Sequence, residues 1–196
     1  IDVMPPKTYH NYDGLWHTSD FIIILQAIDN QSGVAETYYR INQGLVKAVS
    51  TDGQPLITVE GANITLEYWS VDYAGNEELP HNVLTGIKLD KTPPLISISF
   101  QEPKSNIEPF QKVQISVNVT DFISGVKNVT LLYNLNNSTS WINLPMYYDP
   151  ATGLYNTTIP GLPATTTVKY KIIAYDNAGN TAVEDNNRTY YTYNII

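Results

Sequence analysis

The chain contains no cysteine, which excludes disulfides, thiolate zinc sites and a cysteine nucleophile. It has only 3 histidines, and its 11 lysines and arginines are scattered among 19 acidic residues, for a net charge of -8. A nucleic-acid partner needs clustered basic side chains to neutralise phosphates, and no such cluster exists here. Long apolar runs are also missing. The longest, "FIIIL" at 21–25, has the length of a strand and falls far short of the roughly 20 residues of a membrane helix, so no membrane insertion is expected within this sequence. No signal peptide is visible and the chain starts at Ile1, which reads as a processed protein or an excised piece. No stretch repeats its apolar residues at helical spacing.

What is present is strand chemistry, written twice. "SVDYAGN" at 70–76 returns as "AYDNAGN" at 174–180. Asp29-Asn30-Gln31-Ser32-Gly33-Val34 returns as Asp121-Phe122-Ile123-Ser124-Gly125-Val126, and Asp2 with Pro5-Pro6 returns as Asp90 with Pro93-Pro94. The three signatures recur in the same order, 88, 92 and 104 residues apart, so insertions accumulate in the second copy. A module repeated in tandem does this by construction. The boundary falls near "KLDKTPP", which gives module 1 at 1–91 and module 2 at 92–196 and suggests two links of a longer array.

Each module divides into seven strand-like runs separated by turn signals. In the first they lie near 7–10, 21–28, 34–42, 45–50, 56–60, 64–72 and 82–89. In the second they lie near 95–100, 112–120, 126–134, 141–148, 154–159, 167–175 and 188–194. In "VQISVNV", Val113, Ile115, Val117 and Val119 alternate with polar residues, the pattern of a strand with one buried face. The expected fold is all-β: two tandem antiparallel immunoglobulin-like β-sandwiches.

The D-x-x-S-G-V, D-x-A-G-N and L-D-K-T-P-P signatures resemble those of bacterial and archaeal immunoglobulin-like and fibronectin type III-like repeats in secreted proteins and large adhesins. The resemblance covers nearly the whole chain, once per module. It implies an extracellular or cell-surface, non-catalytic role as a stalk, spacer, adhesin segment or surface-layer subunit. Such modules also accompany secreted hydrolases, so a carbohydrate-binding accessory region is the rival reading. A strand-exchanging filament subunit is a third. The expected partners are neighbouring modules of the same protein, surface glycans or like subunits.

No Gly-x-Ser-x-Gly, His-Glu-x-x-His or phosphate-binding loop occurs, and all three histidines (His10, His17, His81) lie in module 1. His10 and His17 flank "NYDGLW" and could hold a metal, against the plainer reading of an exposed loop before a strand. The repeated aspartates are more informative. Sandwich topology places the entry linker, the turn after the second strand and the turn before the last strand at one pole. Asp2, Asp29 and Asp72, with Asn76, then meet in module 1, and Asp90, Asp121 and Asp176, with Asn180, at the entry to module 2. Turn chemistry accounts for them, because Asp accepts the N–H groups of the turn that it opens. Calcium also accounts for them, since it takes carboxylate and carbonyl oxygens and relieves the mutual repulsion of three acids. The two readings are compatible. The resemblance to large adhesins, whose linkers are often stiffened by calcium, favours the ion and a stiff, ion-sensitive linker.

The glycan acceptor Asn-x-Ser/Thr occurs eight times, at Asn30, Asn63, Asn118, Asn128, Asn136, Asn137, Asn156 and Asn187, where composition predicts about three by chance. Tyrosine is frequent, at 15 residues, and forms pairs at 38–39, 147–148 and 190–191. Neighbours on a strand face opposite ways, so each pair is expected to send one ring inward and one outward. Outward rings, with Trp16 or Trp141, would stack on sugars or on a partner, or else pack across strands.

Overall fold

A computed structural model describes the backbone of residues 1–196 and every side chain except that at position 98. The chain divides into two compact units, Ile1–Lys91 and Thr92–Ile196. In unit 1 the elements run β1 (Lys7–His10), β2 (Trp16–His17), β3 (Phe21–Ile22), β4 (Leu25–Ile28), β5 (Val34–Ile41), β6 (Lys47–Ala48), α1 (Val49–Asp52), β7 (Leu56–Ile57), β8 (Gly61–Asp72) and β9 (Asn82–Leu89). One layer has the order β2-β9-β8-β5-β6, and the other consists of the pairs β1-β4 and β3-β7. Ile23, Leu25 and Ile57 of the smaller layer pack against Tyr39, Ile64, Leu66, Tyr68, Ile87 and Leu89 of the larger one.

Three of the strand runs expected in unit 1 are shorter than their sequence suggests: 56–60 keeps only Leu56–Ile57, and in the other two side-chain acceptors are the reason. The run 21–28 breaks at Ile23 and Ile24. There the N–H groups of Ile24 and Leu25 donate to Asn11 Oδ1 and Gln54 Oε1, 2.8 Å each, instead of to a neighbouring strand. The run 45–50 keeps only Lys47–Ala48 as strand. Asp52 takes the N–H of Ala48 at 2.9 Å and Glu36 takes that of Ser50 at 3.3 Å, and the chain coils into α1. Side-chain oxygens compete with the sheet ladder in both places.

Unit 2 runs β10 (Leu95–Glu102), β11 (Val113–Thr120), β12 (Val126–Leu135), β13 (Ile142–Asp149), β14 (Leu154–Ile159), β15 (Thr167–Asp176), β16 (Thr181–Glu184) and β17 (Tyr191–Asn194). Its strands follow the order β10-β11-β14-β13-β12-β15-β16, with β17 also on β15. β13 serves both layers: residues 142–146 pair with β12 and residues 147–149 with β14. Val113, Ile115, Val117 and Val119 of β11 face the core and meet Val129, Leu131, Ile159, Val168 and Ile172. Each unit is therefore a β-sandwich around its own core, its strands paired antiparallel except for the short parallel pair of β2 and β9 in unit 1. Of the last run, expected at 188–194, only Tyr191–Asn194 is strand; a loop precedes it, and before that loop stands a further strand not expected from the sequence, Thr181–Glu184. Asn186, Asn187, Arg188 and Tyr190 in that loop all have positive φ, outside the extended region that side-chain-bearing residues adopt in a regular strand.

Only one tyrosine pair divides as the alternation predicts. Tyr39 is in the core, and Tyr38 lies on the outer face against Trp69. Tyr147 and Tyr148 are both exposed, at 71% and 56%, because β13 changes layers there and neither side faces a core. Tyr190 belongs to the left-handed loop, and Tyr191 packs at the edge of the core beside Tyr170.

Candidate functional site

The aspartate turns are built locally, in the same way in both units. Asp29 Oδ1 accepts the N–H groups of Gln31 at 3.1 Å and Gly33 at 2.6 Å. Asp121 Oδ1 accepts those of Ile123, Ser124 and Gly125 at 3.2, 2.9 and 2.6 Å. Gly33 and Gly125 close these turns at φ of 84° and 81°, where a side chain would be strained, so the motif requires glycine. In the second motif Asp72 Oδ1 and Oδ2 accept the backbone and side-chain N–H of Asn76, 2.7 Å each. Asp176 accepts Gly179 N–H at 2.6 Å, Asn180 N–H at 2.8 Å and Asn180 Nδ2 at 2.7 Å.

One backbone bond then locks each pair of turns together. Tyr73 N–H donates to Gly33 O, and Asn177 N–H donates to Gly125 O, both at 3.0 Å. In unit 2 the Asn177 side chain adds to it, Nδ2 donating to Ser124 O at 2.8 Å and to Gly125 O at 3.0 Å.

In unit 1 the entry segment joins this pair. Asp2 Oδ1 accepts Met4 N–H, and Oδ2 accepts Ser32 N–H, both at 2.9 Å. Asn76 Nδ2 donates to the Asp2 carbonyl at 3.3 Å. The carboxylates of Asp2, Asp29 and Asp72 each offer an oxygen, and these oxygens lie within 4.8 Å of one another. The Met4 N–H bond, with help from Ser32, holds the Asp2 carboxyl below the usual carboxylate range. Burial pushes Asp72 up, but the Asn76 bonds outweigh it and the net direction is down, against the opposing charge of Asp2. The site is therefore anionic at neutral pH. Ser32 Oγ is enclosed beside Asp2 and Asp72 without a well-aligned hydrogen bond. Its role was legible only as the repeated Ser of D-x-x-S-G.

In unit 2 an oxygen of Asp121 lies within 4.8 Å of one of Asp176. Asp29 and Asp121 each spend Oδ1 on the turn, and no hydrogen bond to Oδ2 is seen among the described residues. Asp90 belongs to unit 1, where it follows β9 and its N–H donates to His17 O at 2.9 Å.

The histidines are not brought together. His17 lies flat on Phe21 at 3.7 Å, with Nε2 at 3.2 Å from Asp13 Oδ1, whereas His10 Nδ1 accepts Tyr12 N–H at 3.2 Å. Neither belongs to a group of three or more convergent His, Asp and Glu side chains among the described residues, so the metal reading of "NYDGLW" gains no support.

Six acceptor asparagines (30, 63, 128, 136, 137 and 187) are exposed. Asn118 and Asn156 are half-buried on the outer face of their sheet. Asn118 Nδ2 donates to Ser97 Oγ at 3.2 Å, and Asn156 Nδ2 donates to Leu154 O at 3.1 Å. Each amide keeps a second hydrogen, but partial burial makes these two sites less accessible to a glycan than the six exposed ones. Trp16 and Trp141 are half-buried, and Trp141 is covered by Lys171 Nζ, 4.6 Å from its ring centre.

No protein-family model matches this chain, and no curated protein matches it. Among solved structures, the fibronectin(III)-like modules of Clostridium thermocellum CbhA align with 97% of this chain and 93% of theirs, at 12% identity and a TM-score of 0.38. At that score the likeness decides nothing, and the sandwich assignment rests on the strand pairing above.

Proposed function

We propose that the chain is a non-catalytic structural segment of an extracellular or cell-surface protein, a stalk, spacer, adhesin or surface-layer segment whose turns are stiffened by calcium. The observation that carries this reading is the pair of interlocked aspartate turns, built alike in both units and, in unit 1, tied to the entry segment through Asp2, Ser32 and Asn76. Hard oxygen ligands in an anionic pocket suit a calcium ion, which takes six to eight oxygens. Asp2, Asp29 and Asp72 would hold it in unit 1, and Asp121 and Asp176 would contribute in unit 2. Neighbouring modules, surface glycans or like subunits are the partners this role implies. Two observations weigh against the rival readings. In unit 2, Trp141 is half-buried, covered by Lys171 Nζ and packed on Tyr190, so it does not offer the open ring that a sugar platform would need. The last strand is in place on β15, whereas a strand-exchanging subunit would leave it detached.

Thermal melts in calcium and in chelator test the reading. An ion bound only by the folded state stabilises it by about 2.7 kcal/mol at a hundredfold excess over Kd. Asp29→Asn keeps an acceptor oxygen for the turn and removes the charge, so it should melt near wild type in chelator and lose much of the calcium gain. Identical wild-type melts in both conditions remove calcium from the role. If the host glycosylates Asn-x-Ser/Thr, at least two of Asn118, Asn128, Asn136, Asn137 and Asn156 should carry sugar, with the exposed Asn128, Asn136 and Asn137 ahead. Intact-mass spectra of native material showing bare polypeptide would count against the extracellular reading.

A further inference from the structure

The outer face of the larger layer of unit 1 carries a histidine held in one charge state by geometry. Leu66 and Tyr68 of β8 face the core, so Glu67 and Trp69 face out. The His81 ring lies flat on the Trp69 indole, 3.8 Å between centres and 1° between planes. Trp69 stacks in turn on Tyr38. His81 Nδ1 is 2.7 Å from Glu67 Oε1, and Nε2 is 2.8 Å from Glu77 Oε1. Arg40 Nε, directly across the ladder, holds the other oxygen of Glu67 at 2.5 Å.

An ionised carboxylate only accepts, so both ring nitrogens must donate, and only the imidazolium has two N–H groups. A cation also gains from lying over the indole face. The charged groups facing the ring are Glu67 and Glu77, with Arg40 behind Glu67. Bonds from His81 and then Arg40 hold the Glu67 carboxyl below its usual range. For His81, burial favours the neutral ring, but the two carboxylates outweigh it and the net direction is up.

The segment that His81 closes also holds the first strand. Between Glu77 and His81 stands Glu78, whose N–H donates to Ser70 O at 3.0 Å. Its carboxylate accepts the N–H of Thr8 at 3.0 Å and the hydroxyl of Thr8 at 2.6 Å. Thr8 Oγ1 and Thr37 Oγ1 each lie within hydrogen-bond distance of the buried Ser70 hydroxyl, at 2.7 and 2.8 Å. Thr8 is the inward residue of β1, which pairs only with β4 over four residues. Glu78 is thus the side-chain anchor of β1, and it sits on the segment whose far end is pinned by His81.

We propose that His81 is a pH-sensitive latch on β1: as an imidazolium it closes residues 77–81 onto β8 and keeps Glu78 on Thr8, and on losing its proton it releases the segment. A neutral ring has one N–H and keeps one carboxylate at most. Because the folded pKa lies above the unfolded one, the latch is fully closed below the ordinary histidine range and opens as pH rises through the raised value. This latch is independent of the calcium reading, and the experiment is run in chelator so that the two fail separately.

The test follows the ring resonances of His81 by NMR across the titration, and the amide exchange of Thr8 and Glu78, corrected for intrinsic rate. Wild type should show His81 titrating above histidine in an unfolded peptide, with exchange at Thr8 and Glu78 rising several-fold through the same midpoint. Glu77→Gln, at an exposed position, should lower that midpoint and move the exchange rise with it. His81→Gln should show fast exchange at every pH. A His81 midpoint at or below the peptide value overturns the proposal, and so does Thr8 exchange that ignores the His81 midpoint.

Discussion

Replacing Asp176 by alanine should destabilise unit 2 by about 3–5 kcal/mol, because it strips two backbone donors of their acceptor at once. The side chain is fully buried and accepts Gly179 N–H, Asn180 N–H and Asn180 Nδ2. Alanine takes that acceptor from all three donors; Asn177 and Gly179 of the turn are exposed and Asn180 is half-buried, so water replaces part of the loss and each group costs toward the lower end of about 1–3 kcal/mol. The bonds left to the turn are Asp176 N–H to Asn180 O at 3.2 Å and those of Asn177 to Ser124 O and Gly125 O, and none of them replaces the acceptor at Gly179 and Asn180. Loss of the turn also removes the support of Asn177 N–H on Gly125 O, so the Asp121 turn loosens in the same step. Asp176→Asn retains an acceptor oxygen for the two backbone groups and should lose distinctly less. Denaturant melts of the three proteins, read by amide exchange at Val117 and Leu131, make the comparison. An alanine variant within about 1 kcal/mol of wild type would mean that the turn is not held by this carboxylate.

The second large effect is steric. A methyl group at Gly161 would run into the carbonyl of Phe110 and come within 2.7 Å of its Cα. The backbone of Gly161 itself is not left-handed, so conformational strain plays no part. Neither segment yields easily. Phe110 N–H donates to Leu162 O at 2.8 Å, and the Phe110 loop is anchored by the buried Ile107, which bridges to Ile195. Overpacking against backbone lies at or beyond the upper end of its usual range, so Gly161→Ala should cost about 3 kcal/mol or more. Gly153→Ala separates this effect from backbone strain. Its added methyl meets nothing within 4 Å, but its φ is 72°, so it should cost only about 1–2 kcal/mol. Equal losses at the two positions would refute the steric account.

Much of the architecture was readable because it depends on short-range order. The alternation in β11 faces Val113, Ile115, Val117 and Val119 inward whatever lies opposite. The aspartate turns close within two to four residues, so Asp29, Asp72, Asp121 and Asp176 announce their geometry in the motif itself. That Asp2 would meet Asp29 and Asp72 followed from topology, since turns at one pole of a sandwich are neighbours in space.

What escaped a linear reading depends on partners distant in the chain. The break in the run 21–28 needs Asn11 and Gln54, and the shortening of 45–50 needs Glu36 as well as the nearby Asp52. The exposure of both Tyr147 and Tyr148 follows from β13 leaving one layer for the other, which periodicity cannot register because each half of the strand alternates normally. His81 looked like an unremarkable turn residue. Glu67 is 14 positions away and Trp69 is 12, and only the β8–β9 pairing lays the ring between two carboxylates and over an indole. The sequence by itself determined the all-β class, the twofold repeat and the chemistry of the aspartate turns, because alternation and turn bonds are local. The tertiary structure alone decided where strands stop, which rings are covered and which histidine is held charged, because those depend on hydrogen-bond partners and packing surfaces that exist only once the layers have come together.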